Sequence, residues 1–219
     1  MMSSKIFLSY FLDKTTPLYG GSYGVEIILQ REILNGDTSN NKILKFPNHS
    51  GTHVDFPNHF FANGLTCEDY PADFWFFNQS ELLNVTVPSN NLIDINAIDL
   101  LNFDDNIEFL ILKTGFWKFR NEEKYWKFNP GLTPQSADVL RNKFKNLKAI
   151  GMDFISLTSY QNREIGREAH RCFLGGDKPI LLIEDMDLSC LNKSPKSIIC
   201  LPLLVNGIDG SPISIVAEI

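Results

Sequence analysis

An α/β domain with a mixed, partly barrel-like sheet and flanking helices is the fold class this sequence predicts, on three observations. Short runs rich in Ile, Leu and Val recur at 25–29, 82–87, 109–112, 180–183, 198–205 and 213–216, each bounded by turn residues, and read as strands. One segment has clear helical spacing: Thr133 is placed to cap it, Pro134 suits its first turn, and Ala137, Leu140, Phe144 and Leu147 share a face. Further helices are expected near 94–96 and over about 164–173. The third observation is negative. Strands and helices do not alternate as regular βαβ units and no glycine-rich phosphate loop supports a dinucleotide fold. Gly175-Gly176-Asp177 reads instead as a turn closing the last helix before the run at 180.

At 219 residues the chain suits a single domain, 1–219, with length enough for a substantial core. Hydrophobic residues make up 43% and charged residues 21%, ordinary values for a globular protein, and no apolar run reaches the ~18 residues that would span a bilayer. A membrane is therefore not an expected partner. The N-terminal apolar stretch is short and lacks a small-residue cleavage site, so the expectation is a cytoplasmic location, in which the sequon Asn84-Val85-Thr86 carries no weight. Cys67, Cys172, Cys190 and Cys200 are far apart with no CxxC pair, which predicts reduced, mostly buried thiols rather than a disulfide framework or a thiolate zinc knot. The net charge of −6 is spread along the chain without a basic run interleaved with aromatics, so nucleic acid is not an expected partner.

The chemistry concentrates in His49-Ser50-Gly51-Thr52-His53-Val54-Asp55-Phe56-Pro57-Asn58-His59. Two histidines four apart suggest a metalloprotease helix, but Gly51 and Pro57 oppose a helix and the Glu that should follow the first His is missing. In extended chain alternate side chains share a face, so His53 and Asp55 point together, and a bend at Gly51 can bring His49 beside them. Two neutral imidazoles and a carboxylate suit Zn²⁺ or Mn²⁺ and leave positions open for water, the pattern of a catalytic rather than a structural site. His170, the fourth histidine, ends a predicted helix, and Glu184 closes an apolar strand where a carboxylate can sit at the mouth of a site.

These residues resemble a known family. His49-x-Gly51-Thr52-His53-x-Asp55-x-Pro57-x-His59 is similar to the HxGTHxDxPxH signature of the cyclase-like metal hydrolases, among them the bacterial kynurenine formamidases. The resemblance continues through Thr16-Pro17-Leu18-Tyr19, Leu112-Lys113-Thr114-Gly115, Pro130-Gly131-Leu132-Thr133, Ile150-Gly151-Met152-Asp153, Ala169-His170-Arg171 and Ile183-Glu184. It implies a cyclase-like, swivelling β/β/α type of fold. It also implies one metal held by His49, His53 and Asp55, a second held by Asp55, His170 and Glu184, and His59 as acid/base. The implied ions are one or two Zn²⁺, with Mn²⁺ the alternative, and the implied assembly is a homodimer or higher homo-oligomer, for which Trp117 or Trp126 offers an interface aromatic. The chain departs from the pattern at Ser159-Tyr160-Gln161, where many relatives carry Ser-x-Asp, and at Arg167-Glu168, where a proline is common. The resemblance therefore does not extend to substrate contacts from that loop.

A metal ion lowers the pKa of a bound water to about 7 and polarises a carbonyl, which suits hydrolysis of an amide or ester in a small-molecule substrate. The expected activity is arylformamidase-like, N-formylkynurenine to kynurenine and formate in tryptophan catabolism, with His59 passing the proton to the departing amine. A cyclic imide or lactam such as isatin, or another small acyl compound, is the alternative substrate. Glu184 is a ligand in this expectation, or the general base if a single metal binds. Phe56, Phe60, Phe61, Trp75, Phe76 and Phe77 cluster near the motif, and Phe60, Phe61, Trp75 and Phe76 are the expected wall for an aryl group. Two rivals remain. Gly20-Gly21-Ser22-Tyr23-Gly24 matches the GxSxG elbow of serine hydrolases, but a Pro-containing loop precedes it and a strand-like run follows, the wrong context for an elbow. The other is a non-catalytic metal-binding protein on the same scaffold, for which His59 would have no purpose.

Overall fold

The computed structural model describes residues 4–21 and 23–219. Its centre is a mixed, nine-stranded sheet. From one edge to the other the strands run Phe76–Phe77, Ser197–Pro202, Gly210–Glu218, His53–Asp55, Leu181–Glu184, Ala149–Met152, Phe109–Lys113 and Ser80–Asn84, and Lys5–Phe7 also pairs with Gly210–Glu218. The last four in that path run parallel, and their runs Phe109–Leu112, Ala149–Met152 and Leu181–Ile183 are almost wholly buried, as strands covered on both faces must be. The rest of the sheet is antiparallel. His53–Asp55 lies where the two regimes meet, antiparallel to Leu181–Glu184 on one side and to Gly210–Glu218 on the other.

The sheet curls because its two edge strands are neighbours in the chain: only Asn78 and Gln79 separate Phe76–Phe77 from Ser80–Asn84. Side-chain bonds help seal the seam, with Ser80 Oγ donating to the Pro195 carbonyl (2.9 Å) and the Leu82 N–H donating to Ser194 Oγ (3.0 Å). The result is a nearly closed, barrel-like layer with few helices. The helix Arg163–Leu174 packs on Gln135–Lys143 and on the strand Leu181–Glu184.

Several expected boundaries shift, each for a local reason. The helix expected through Leu147 stops at Lys143: Phe144 turns extended (φ −114°, ψ 94°) and, with Leu147, buries its side chain from the following turn. Thr133 does not cap it, since its Oγ pairs with Ser136 Oγ at 3.0 Å instead. The helix near 94–96 is one 3-10 turn, Ile95–Ala97, held by Asp94 accepting from the Asn96 N–H. The helix near 164–173 forms over Arg163–Leu174, and Gly176 (φ +81°) follows it in the turn before the strand. The run at 25–29 becomes Glu26–Arg31 in a hairpin with Asn41–Lys45, and both strands are largely exposed. Cys67 and Cys200 are buried, but Cys172 is half-buried and Cys190 exposed, so the thiols are free but not mostly buried. Trp117 and Trp126, the expected interface aromatics, are half-buried. Ser22 lies outside the described residues; near it a 3-10 turn, Tyr19–Gly21, precedes and the strand Glu26–Arg31 follows, the opposite of what an elbow needs.

Candidate metal centre

Three backbone devices converge on one end of the strand His53–Asp55. Its period-two alternation sends Val54 into the core and His53 and Asp55 to the opposite face, and the register places Glu184 directly across from His53. Gly51, at φ +62°, makes the bend that folds His49 back over Asp55, and a Cβ there would meet Leu12 Cδ2 at 2.6 Å. Gly210, opposite Asp55 on the next strand, leaves the space the His49 ring occupies. Behind Glu184 the chain passes through Asp185 at φ +53°, a conformation sustained by surrounding bonds. Arg120 grips the Asp185 carboxylate through Nε (2.9 Å) and Nη2 (2.7 Å), Tyr125 OH donates to it at 2.5 Å, and Thr52 Oγ donates to the Asp185 carbonyl at 2.6 Å. That knot ties the strand carrying Glu184 to the one carrying His53.

The deep half of the site is a closed ring of four buried side chains. His53 Nε2 lies 3.4 Å from Asp55 Oδ1 and 3.5 Å from Glu184 Oε2. His170 Nε2 lies 3.5 Å from Asp55 Oδ2 and 3.4 Å from Glu184 Oε1. The other imidazole nitrogens are committed to the backbone: His53 Nδ1 donates to the Gly51 carbonyl at 2.8 Å, and His170 Nδ1 sits 2.9 Å from the Gly166 carbonyl. Both tautomers are thereby set with Nε2 facing inward. The spacing suits an ion, because ligands ~2.1 Å from a tetrahedral metal stand roughly 3.4 Å from each other. Glu184 is oriented in turn by the Leu157 N–H, which donates to Oε1 at 2.7 Å.

The mouth of the site is built differently. His49 Nδ1 donates to Asp55 Oδ1 at 2.8 Å and Nε2 donates to Asp209 Oδ2 at 3.1 Å, while His59 Nδ1 meets the same Asp209 oxygen at 2.8 Å. The His49 and His59 rings lie 4.1 Å apart, centroid to centroid. Carboxylates only accept hydrogen bonds, so His49, paired with one at each nitrogen, carries both protons. Burial opposes that charge, but Asp55 and Asp209 outweigh it and push the His49 pKa up to about 10. Burial likewise opposes charge on His170, and Asp55 and Glu184 overcome it to raise its pKa to about 10. Burial would raise the Asp55 pKa, but the ring of histidines, His49 foremost, holds it well below the ordinary value.

All six residues singled out in the sequence, His49, His53, Asp55, His59, His170 and Glu184, therefore meet at one place. Their grouping differs from the one the family resemblance implies: His53 stands with Asp55 and Glu184, and His49 with Asp55 and His59. Asp55 is common to both groups. Asp209 was not foreseen. It lies 150 positions from His59, in an Asp-Gly pair that reads as a turn, and no motif marks it.

The centre opens into a cavity of about 400 Å³ lined by Tyr19, Phe60, Ile155, Arg163 and Arg167 among others. Of the aromatic wall expected from the sequence, Phe60 alone is there, stacked on His170 with centroids 4.7 Å apart. Trp75 is buried in the core against Phe56, Tyr70 and Phe74, Phe76 is exposed on the sheet edge, and Phe61 packs beside Gly175. The reason is the 3-10 turn Pro57–His59, after which the chain leaves the site.

A nearly closed mixed sheet with an N/O cluster at the junction of its parallel and antiparallel halves defines a recognisable class. Residues 6–158 match the model of the family described as putative cyclase, and the chain belongs to that family. It is 28% identical to cyclase-like protein 2 of Oryza sativa subsp. japonica over 209 residues, covering 90% of this chain and 72% of the relative. It is 24% identical to the kynurenine formamidase of Geobacillus thermodenitrificans over 216 residues, covering 97% and 96% respectively. Among solved structures, isatin hydrolase A from Labrenzia aggregata superposes with a TM-score of 0.84 at 17% identity, over 99% of this chain and 94% of that one. A potential metal-dependent hydrolase with cyclase activity gives 0.78 at 18%, over 99% and 98%.

Proposed function

We propose that this protein is a metal-dependent hydrolase of amide bonds, arylformamidase-like, using one or two Zn²⁺ or Mn²⁺ ions. The observation that supports this reading most is the deep ring: two imidazole Nε2 atoms alternate with two carboxylates at 3.4–3.5 Å, with the histidine tautomers already set. His53, Asp55 and Glu184 would hold one ion, with His170 facing the other oxygens of the same two carboxylates, and His49 with Asp55 offers a place for a second. When bound, such an ion supplies a lowered water pKa and polarisation of the scissile carbonyl.

The chain's own groups do the rest. His59 is half-exposed beside the cavity, and its Nδ1 is committed to Asp209, which leaves Nε2 to carry a proton between the reacting water and the departing amine. Asp209 fixes that tautomer, because its carboxylate can only accept from Nδ1. Phe60, stacked on His170, gives an aryl group a flat surface next to the reacting bond. The same reading takes the protein as a homodimer or higher homo-oligomer, to which the exposed Leu29 and Leu44 of the hairpin offer apolar surface.

Elemental analysis of wild type beside His53→Ala, with formamide hydrolysis measured on the same samples, tests the proposal. One to two equivalents of Zn or Mn in wild type, lost with activity in the variant, is the expected result. Metal without turnover on formamides, lactams and esters turns the reading toward a binding protein, and protein that takes up no metal overturns it. Sedimentation velocity gives the oligomeric state.

A further inference from the structure

The helix Arg163–Leu174 delivers His170 to the deep ring, and the residues three and seven positions earlier on its sequence are Arg167 and Arg163. Positions related by three and four share one helical face. Both guanidinium-bearing residues line the cavity that His170 closes at its floor. They are exposed, and neither is saturated by protein partners. Among the described residues Arg163 has no ion pair; its guanidinium lies 4.0 Å from the Tyr160 ring centroid and beside the Tyr19 hydroxyl. Arg167 reaches only Glu164, at 3.4 Å, and both are largely in solvent, where such a pair holds little.

The charge around the cavity is therefore divided by depth. Its lining carboxylates, Asp55 and Glu184, are both at the floor and belong to the ion-binding ring; the mouth carries the paired His49 and Asp209, and the helix beyond His170 adds two arginines to the lining. The cavity is also lined by Phe60, Ile155, Pro17 and the Tyr19 ring. Helix rise places Arg167 and Arg163 roughly 5 and 10 Å along the axis from His170. Arg163 also opens the helix, where the backbone dipole favours an anion.

From this arrangement, resting on the amide-hydrolase reading above, we infer that Arg163 and Arg167 form an anion subsite that selects amide substrates bearing a carboxylate roughly 5–10 Å from the scissile carbonyl. Guanidinium groups suit this task because their paired N–H donors match both carboxylate oxygens, and a charge-assisted pair discriminates strongly against a partner lacking the anion. The apolar middle of the cavity takes the aryl or alkyl body that joins the two ends. A neutral cyclic imide satisfies the floor but leaves the arginines without a partner.

The test compares 4-formamidobenzoate with formanilide, which share the formamide and ring and differ in the carboxylate, on metal-loaded wild type, Arg163→Met/Arg167→Met and Arg163→Lys/Arg167→Lys. The Met pair is expected to raise KM for 4-formamidobenzoate by about tenfold or more, with kcat within about twofold and formanilide unchanged, and the Lys pair to restore part of the loss. Equal losses on both substrates, or no loss on either, overturns the inference. Calorimetric binding of 4-aminobenzoate and of aniline to the same proteins separates this inference from the reading it rests on. If wild type turns over neither formamide yet the Met pair alone loses 4-aminobenzoate, the anion subsite stands and the amide-hydrolase reading fails. If 4-aminobenzoate binds wild type and the Met pair alike, the subsite fails whatever the turnover.

Discussion

The four histidines of this chain fall into two pairs that differ in what their second nitrogen touches. His53 and His170 are buried and give Nδ1 to backbone carbonyls, which cannot move away or titrate, so their Nε2 atoms are aimed before anything binds. His49 and His59 sit nearer solvent, with side-chain exposures of 23% and 31%, and are tied to carboxylates. A carbonyl fixes orientation without changing charge; a carboxylate fixes orientation and favours the protonated ring. The deep pair is aimed at an ion, which must displace the proton that Asp55 and Glu184 favour on His170, and the mouth pair is tied to carboxylates beside the opening.

Substitution should separate the two pairs sharply. His53→Ala removes a preoriented ligand from a ring with no spare donor, and is expected to abolish stoichiometric metal with activity falling to background, below any residual seen for the mouth. His59→Ala should keep the metal and lose about 10²- to 10⁴-fold in kcat, the contribution of a positioned proton carrier. Metal content by mass spectrometry read beside kcat checks both. Loss of metal in His59→Ala, to the extent seen for His53→Ala, would merge the pairs and end the distinction.

Asp209 sharpens the comparison because, of the two histidine pairs, its carboxylate bonds the mouth pair, besides accepting from Asn48 Nδ2 at 2.7 Å. Its carboxyl is held well below the ordinary range by hydrogen bonds from His49 and His59, so it is an anion at working pH. Asp209→Asn should cost about 10- to 100-fold in kcat, in line with outer partners of metal sites, and shift the rate profile as His49 loses one of the two carboxylates that raise its pKa. Metal content should hold. A variant with normal kcat and an unmoved profile would show that Asp209 merely packs.

How far the sequence reached follows the same division. His49 to His59 could be recognised because the ligands crowd one short segment whose glycine and alternation already dictate a shared face. His170 and Glu184 are distant, and the resemblance named them where periodicity could only put them at element ends. Asp209 escaped because its place depends on pairing: Gly210–Glu218 runs three residues further back than its apolar core at 213–216, through Gly210, Ser211 and Pro212, residues that read as a turn until they lie against His53–Asp55. The aromatic wall failed for the opposite reason, nearness in sequence being taken for nearness in space. A 3-10 turn at Pro57–His59 is enough to send Phe61, Trp75 and Phe76 elsewhere while Phe60 stays. The helix that ends at Lys143 shows the same limit: Phe144 and Leu147 are core residues by burial but reach the core from a turn.

The smallest expected effect concerns protons and the empty-handed form of the same ring. Without metal, His49 and His170 titrate at about 10 rather than at 6.5, because carboxylates surround them. A pKa raised by folding contributes stability that is complete below the unfolded value and lost as pH climbs through the folded one. Chelator-treated protein should therefore lose stability steadily as pH rises from about 6.5 toward 10. Metal needs the neutral rings, so binding displaces those protons and strengthens over the same window. The gap in Tm between metal-loaded and chelated protein should thus widen from pH 6 to pH 8.5, by a few degrees at the roughly 2–4 °C per kcal/mol usual for this chain length. Calorimetric scans at both pH values read it directly. A gap that stays flat or narrows would mean that the protons on His49 and His170 are not the ones the ion must replace, and the deep and mouth pairs would no longer be linked through Asp55.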